Sequence, residues 1–173
     1  MSMQGDAAPP PDSPHLRVLA QYVKELSFRN AGAATAQAYD VQPVIDMGVE
    51  VKSRGMGDRG DAFEVDLCIN VNAKRAETMM FSVDLIYSGL FQFMNVRSED
   101  VEPLIWIECP RLLFPFSRQI LAEITREGGY PPLLINPIDF TPLYWAELRE
   151  RQSRGEAPLS ATPPNDQSGQ SAF

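Results

Sequence analysis

Residues 63–73 read FEVDLCINVNA, and the fold turns on how they are read. Phe63, Val65, Leu67, Ile69 and Val71 alternate with Glu64, Asp66, Cys68, Asn70 and Asn72. Successive side chains of a strand point to opposite faces, so this segment buries one face and wets the other. After a short polar turn from Lys74 to Glu77, the alternation resumes through Met79, Phe81, Val83, Leu85, Tyr87, Phe91 and Phe93. Upstream, Val41, Ile45, Met47, Val49 and Val51 share one parity between Val41 and Lys52, while Asp46, Glu50 and Lys52 take the other. Ser53 to Gly60, with Gly55, Gly57 and Gly60, is expected to be a turn. Successive strands joined by short turns predict an antiparallel meander.

Leu16 to Arg29 fits either regular structure. Leu16, Val18, Ala20, Tyr22, Leu26 and Phe28 alternate as in a strand, whereas Leu16, Leu19, Val23 and Leu26 suit a helix. Asn30 to Ala38 is rich in glycine and alanine and reads as a loop. Downstream, the pattern turns helical. Ser98 is placed to cap a turn carrying Glu99, Asp100 and Glu102. Pro110 and Pro115 are expected to delay the long helix until after Pro115. On it, Leu113, Phe116, Ile120 and Ile124 share a face, Arg118, Glu123 and Arg126 look elsewhere, and Gly128–Gly129 ends it. Tyr130 to Pro137 is a stiff, apolar, proline-rich connector. Asp139 or Thr141 caps a last helix with Pro142 in its first turn. Strands first and helices afterwards give an α+β fold, three or four strands in an antiparallel meander with the helices on the sheet's apolar face.

The 173 residues divide into residues 1–14 and 153–173, expected to be disordered tails poor in apolar side chains, and a single folded domain over 15–152. The N-terminus lacks a basic region followed by an apolar core, and no apolar run approaches the roughly 20 residues of a membrane span. A net charge of −8 argues against nucleic acid and against anionic membrane surfaces, and permits a basic protein partner; without a long apolar run, no direct membrane insertion is expected. Cys68 and Cys109 form no metal-binding spacing, and with His15 the sole histidine, no metal is expected. The same scarcity removes most Ser–His and Cys–His schemes, and there is no phosphate-binding glycine motif. The chain reads as a non-enzyme without cofactor.

Two surface features remain. Asp46, Glu50, Glu64, Asp66 and Asp84 fall on the wet parity, with Lys52 the counter-charge noted there, so the wet face is acidic and suits a basic partner. Trp106, Phe114, Phe116, Tyr130, Phe140, Tyr144 and Trp145 crowd the second half, more aromatic surface than one sheet and two helices can bury. The surplus is expected at a subunit interface or in an open groove walled by aromatics and flexible Met47, Met79, Met80 and Met94.

CPRLLFPFSRQIL from Cys109, then GGYPPLLINPIDFTPLY to Tyr144, resembles the SecB protein-export chaperones. IYSGLFQF and the early YVKELSF are also similar to that family, and the resemblance runs from about Leu16 to Arg151. It implies a four-stranded antiparallel sheet (meander) with two main helices packed on one face, and so that Leu16 to Arg29 is a strand. It further implies a cytoplasmic, ATP-independent holdase, built as a homotetramer (a dimer of dimers), that keeps precursor proteins unfolded and delivers them to the SecA translocation ATPase. The client groove is expected to use Phe114, Phe116, Tyr130, Phe140 and Tyr144 with Met47 and Val49 of the sheet. The SecA-docking acidic face is expected to use Glu25 and Asp84, which match acidic docking positions, together with Asp46, Glu50, Glu64 and Asp66. Arg29, Ser82 and the tail after Arg151 depart from the family pattern. Within the same resemblance, a chaperone dedicated to an antitoxin or to general proteostasis is the alternative. A plain oligomeric scaffold is another.

Overall fold

A computed structural model describes residues 13–35, 43–57 and 60–155. Four strands come first: β1 (His15–Arg29), β2 (Val44–Met56), β3 (Ala62–Arg75) and β4 (Thr78–Met94). A single long helical run follows, made of α1 (Ser98–Pro103), a π-helical turn (Leu104–Glu108) and α2 (Cys109–Glu127). After an extended connector comes α3 (Thr141–Arg154). This is the expected α+β chain with a four-stranded antiparallel sheet. Val41 and most of both expected tails lie outside the described residues; α3 nevertheless carries Ser153 and Arg154, which had been assigned to the C-terminal tail.

The strand order is β1-β4-β3-β2. A meander therefore holds for β2, β3 and β4 only. β1 crosses to the far side and pairs antiparallel with β4, a Greek-key order. That pairing is long-range, and nothing in the local alternation specifies it. β2 and β3 stay in register from Val44↔Lys74 to Met56↔Ala62, so the strand runs on through Ser53 to Met56, and of the glycines expected to form a turn only Gly57 and Gly60, both at positive φ, lie in the connection. On β4 a register shift beside Lys74 sends Met80, not Met79, into the core.

The odd residues of β3 and β4 form the buried sheet face under α2, as their alternation requires. Correcting the expected start of α2, the helix begins at Cys109, directly after the π-helical turn, with Pro110 in its first turn. Pro115 is accommodated inside it. The helix face against its own sheet is also not the expected one. Leu113, Ser117, Leu121 and Thr125 are buried, whereas Phe116 is 46% exposed and Ile120 and Ile124 are partly open. The small hydroxyl residues allow close approach, and each returns its hydroxyl to the helix: Ser117 Oγ to the Leu113 carbonyl (3.2 Å) and Thr125 Oγ1 to that of Leu121 (2.8 Å). Gly89 leaves room for this packing, since a Cβ there would lie 2.9 Å from Leu113 and 2.5 Å from the Phe91 ring.

The end of α2 follows the expected glycine signal. Gly129 has φ +87°, its N–H bonds the Arg126 carbonyl (3.0 Å), and the Tyr130 N–H bonds that of Thr125 (3.1 Å). Tyr130 then anchors the connector: its hydroxyl donates to Asn30 Oδ1 (2.9 Å), whose amide in turn donates to the Gly128 carbonyl (2.8 Å). Leu133 N–H donates to Thr125 Oγ1 (2.9 Å). At the helix starts, two expected caps are corrected. The cap position of α1 is Arg97, not Ser98, and its guanidinium bonds Asp100 (2.8 Å). Phe140 occupies the cap position of α3, while Asp139 accepts the Thr141 N–H (3.0 Å), a bond that lowers the Asp139 pKa.

Candidate functional surfaces

The wet face is best read as rows across the sheet. One row runs Glu50, Cys68, Ile86, Glu25; the next runs Gly48, Asn70, Asp84, Ser27. These rows floor a depression of about 420 Å³ with Glu25, Glu50 and Asp84 around it and Lys52 beside them. Lys52 reaches Glu50 at 3.2 Å, which raises the lysine pKa. Asp46 is exposed farther along β2.

Glu64 and Asp66 belong to a different device. Glu64 is 6% exposed and receives hydrogen bonds from Tyr22, Lys24 (2.9 Å) and Arg54 (2.7 Å). The Tyr22 hydroxyl, then Lys24, hold its carboxyl below the ordinary range, while the same bond pushes the Tyr22 hydroxyl up. Lys24 also reaches Asp66 (2.8 Å), which accepts from Ser88 (2.6 Å), and these carboxylates raise the Lys24 pKa. Two of the six expected docking acids are thus held in one network within the protomer, and a third, Glu50, pairs with Lys52. Sequence reading missed Lys24 and Arg54. The register shift between Val18 and Ala20 turns the even residues, Tyr22 and Lys24 among them, to the wet face, and Arg54 lies in the segment assigned to a turn. The adjacent Val23, Lys24 and Glu25, which no strict alternation fits, were the available signal.

The expected groove aromatics separate in the same way. Phe140 is 0% exposed and meets Phe114 edge-on with ring centroids 6.3 Å apart. Phe114, Tyr130 and Tyr144 are buried too, and burial raises both tyrosine pKa values. These side chains belong mainly to the core, because the extended connector folds back over the sheet and closes it. Phe116 stays on the surface, stacked on Tyr87 at 6.0 Å. Beside it, Leu112, Val18, Val23 and Leu26 are exposed as well. Val18, Val23 and Leu26 stand opposite Phe91, Tyr87 and Leu85, on the sheet face that carries the helices, yet α2 does not cover them. An apolar patch shared by β1 and the outer face of α2 results.

Met47 and Val49 lie on β2, exposed and half-buried respectively. Val49 and Val51, with Trp106 of the π turn and Leu143 and Tyr144 of α3, line a cleft of about 170 Å³ edged by Glu50, Glu147 and Glu150. The cleft also exposes one edge of the sheet, since β2 pairs with β3 alone among the described strands. Arg151 ties α3 down: it bonds Glu102 (3.0 Å) and Glu147 (3.0 Å) and lies 4.4 Å from the Trp106 ring centroid. A separate hollow of about 410 Å³ at the foot of β1 is lined by Leu16, Val96, Leu104 and Ile107, with Asp100 and Glu108 near. Among the described residues, no three His, Cys, Asp or Glu side chains could hold a metal ion, and no helix is long and apolar enough to cross a membrane. Burial pushes both thiols up, that of Cys109 much further.

A sheet with one charged face, an uncovered apolar patch and a cleft along an edge strand defines a binding protein that works through surfaces. The model of the preprotein translocase subunit SecB matches residues 10–151. The chain is 49% identical over 147 residues to the protein-export protein SecB of Hyphomonas neptunium, covering 85% of this chain and 87% of that one. It is 50% identical over 140 residues to that of Maricaulis maris, covering 80% of each. The chain belongs to the SecB family of protein-export chaperones. A SecB-like chaperone of Mycobacterium tuberculosis, solved with an antitoxin peptide, superposes with a TM-score of 0.59 at 14% identity over 72% of this chain and 91% of that one, a likeness of fold alone.

Proposed function

We propose that this protein is an ATP-independent holdase. It binds precursor proteins while they are unfolded, keeps them competent for translocation, and passes them to the SecA translocation ATPase in the cytoplasm. The observation that carries this reading is the division of surfaces: apolar, unspecific surface on the helix side and at the β2 edge, and carboxylates on the opposite sheet face. Apolar contact and main-chain pairing at a sheet edge accept many sequences, as a holdase requires.

The Phe116 patch supports assembly into a homotetramer, a dimer of dimers, in which the outer face of α2 packs on another copy. Several copies then present repeated weak sites to one long client, which raises avidity. Client contacts centre on Met47, Val49 and the rim of the β2–α3 cleft that Tyr144 walls. Basic SecA docks at Glu25, Asp84, Glu50 and Asp46, the acids that do not share the Glu64 network. The test is aggregation of a slowly refolding precursor without nucleotide, with SecA binding followed in parallel. Reversing Glu25 and Asp84 to Lys is expected to abolish SecA binding and leave protection of the precursor intact. A protein that fails to protect any unfolded precursor overturns the proposal.

A further inference from the structure

The indole of Trp106 is 7% exposed, and its Nε1–H makes no hydrogen bond among the described residues. A buried donor without a partner costs free energy that leucine or phenylalanine at the same place would avoid. Its position suggests what could accept that bond. Trp106 stands on the π-helical turn, a backbone form that is rare and concentrated at functional places. It lines the cleft between the edge strand β2 and α3. One edge of β2 has no strand neighbour among the described residues, so extended chain can lie along it. Such a chain brings a carbonyl into the cleft about every 7 Å on the same side, twice the rise per residue of a strand.

We propose that Trp106 is a client-binding residue whose Nε1–H donates to a main-chain carbonyl of an extended client segment held between β2 and α3. The bond fixes the position of the client chain without reading its side chains, which suits a site that must accept many sequences. It deepens the holdase reading and rests on it. Arg151, lying over the ring and bonded to Glu102 and Glu147, controls access, because the last helix must shift before a client reaches the nitrogen.

The test uses the full-length protein and an unstructured peptide of alternating leucine and serine. The Nε1–H resonance of Trp106 is assigned as the indole signal missing from Trp106→Phe. On saturation with peptide it is expected to move downfield and to exchange more slowly with solvent. Trp106→Phe, which keeps an apolar ring, is expected to bind the peptide about fivefold more weakly, the ~1 kcal/mol of one neutral hydrogen bond. An indole proton that stays in place while the peptide binds overturns the assignment of Trp106 and leaves the holdase reading standing. A peptide that does not bind at all overturns both.

Discussion

Glu64→Gln separates structural carboxylates from docking ones. The substitution keeps shape and removes charge from a side chain that Tyr22, Lys24 and Arg54 all address. The Tyr22 bond loses its charged acceptor, a loss of about 1 kcal/mol. Lys24 keeps Asp66, and Arg54 is largely solvated, so each ion pair contributes only roughly 0.3–0.5 kcal/mol. The expected cost is therefore about 2 kcal/mol, read from urea denaturation at fixed protein concentration, since the proposed assembly would make the midpoint depend on concentration. The pH dependence has a definite sign. Because the folded carboxyl titrates below its ordinary 4.5, the unfolded chain takes up the proton first. The stabilisation is complete above that value and is lost as pH falls through the folded pKa. Glu64→Gln should flatten this acid limb and leave affinity for a basic partner unchanged. An unaltered acid limb, or a loss of partner affinity in a stable variant, would refute the structural assignment.

Other perturbations address other parts of the fold. Phe116→Glu should dissociate the proposed tetramer while the protomer keeps its circular dichroism, because that ring stacks on Tyr87 with its outer side open; light scattering reads the mass. Thr125→Val removes the acceptor of the Leu133 N–H and should destabilise by about 1–2 kcal/mol in urea, whereas Thr125→Ser should restore most of it. In the native protein at pH 8, an aromatic disulfide reagent should modify Cys68 well before Cys109, since Cys109 is wholly buried and its thiol is the more strongly pushed up.

The strands were legible because water wets one side of them, and that asymmetry writes period two into Phe63 to Ala73. Strand order was not. The β1–β4 pairing joins residues distant in sequence, and the alternation of each strand is the same whichever neighbour it has. On α2 the apolar positions cover more than one face. Leu113 packs on its own sheet and Phe116 lies outside, and period alone cannot say which stripe meets which surface. Ser117 and Thr125 were the missed clue, small residues recurring at helical spacing beneath a sheet. The cations paired with Glu64 and Asp66 went unread for a physical reason: a register shift brings Lys24 over both, and a strand longer than expected brings in Arg54. Phe140 read as adhesive surface because composition cannot show that a proline-rich connector folds back and seals the core.

A native mass spectrum, alone and with a slowly folding precursor and no nucleotide, tests the holdase reading most directly. A tetramer near four times 19.3 kDa that gains one unfolded precursor, and ignores the same precursor once folded, is the expected result. A tetramer that never gains the unfolded chain would contradict it and leave only the assembly.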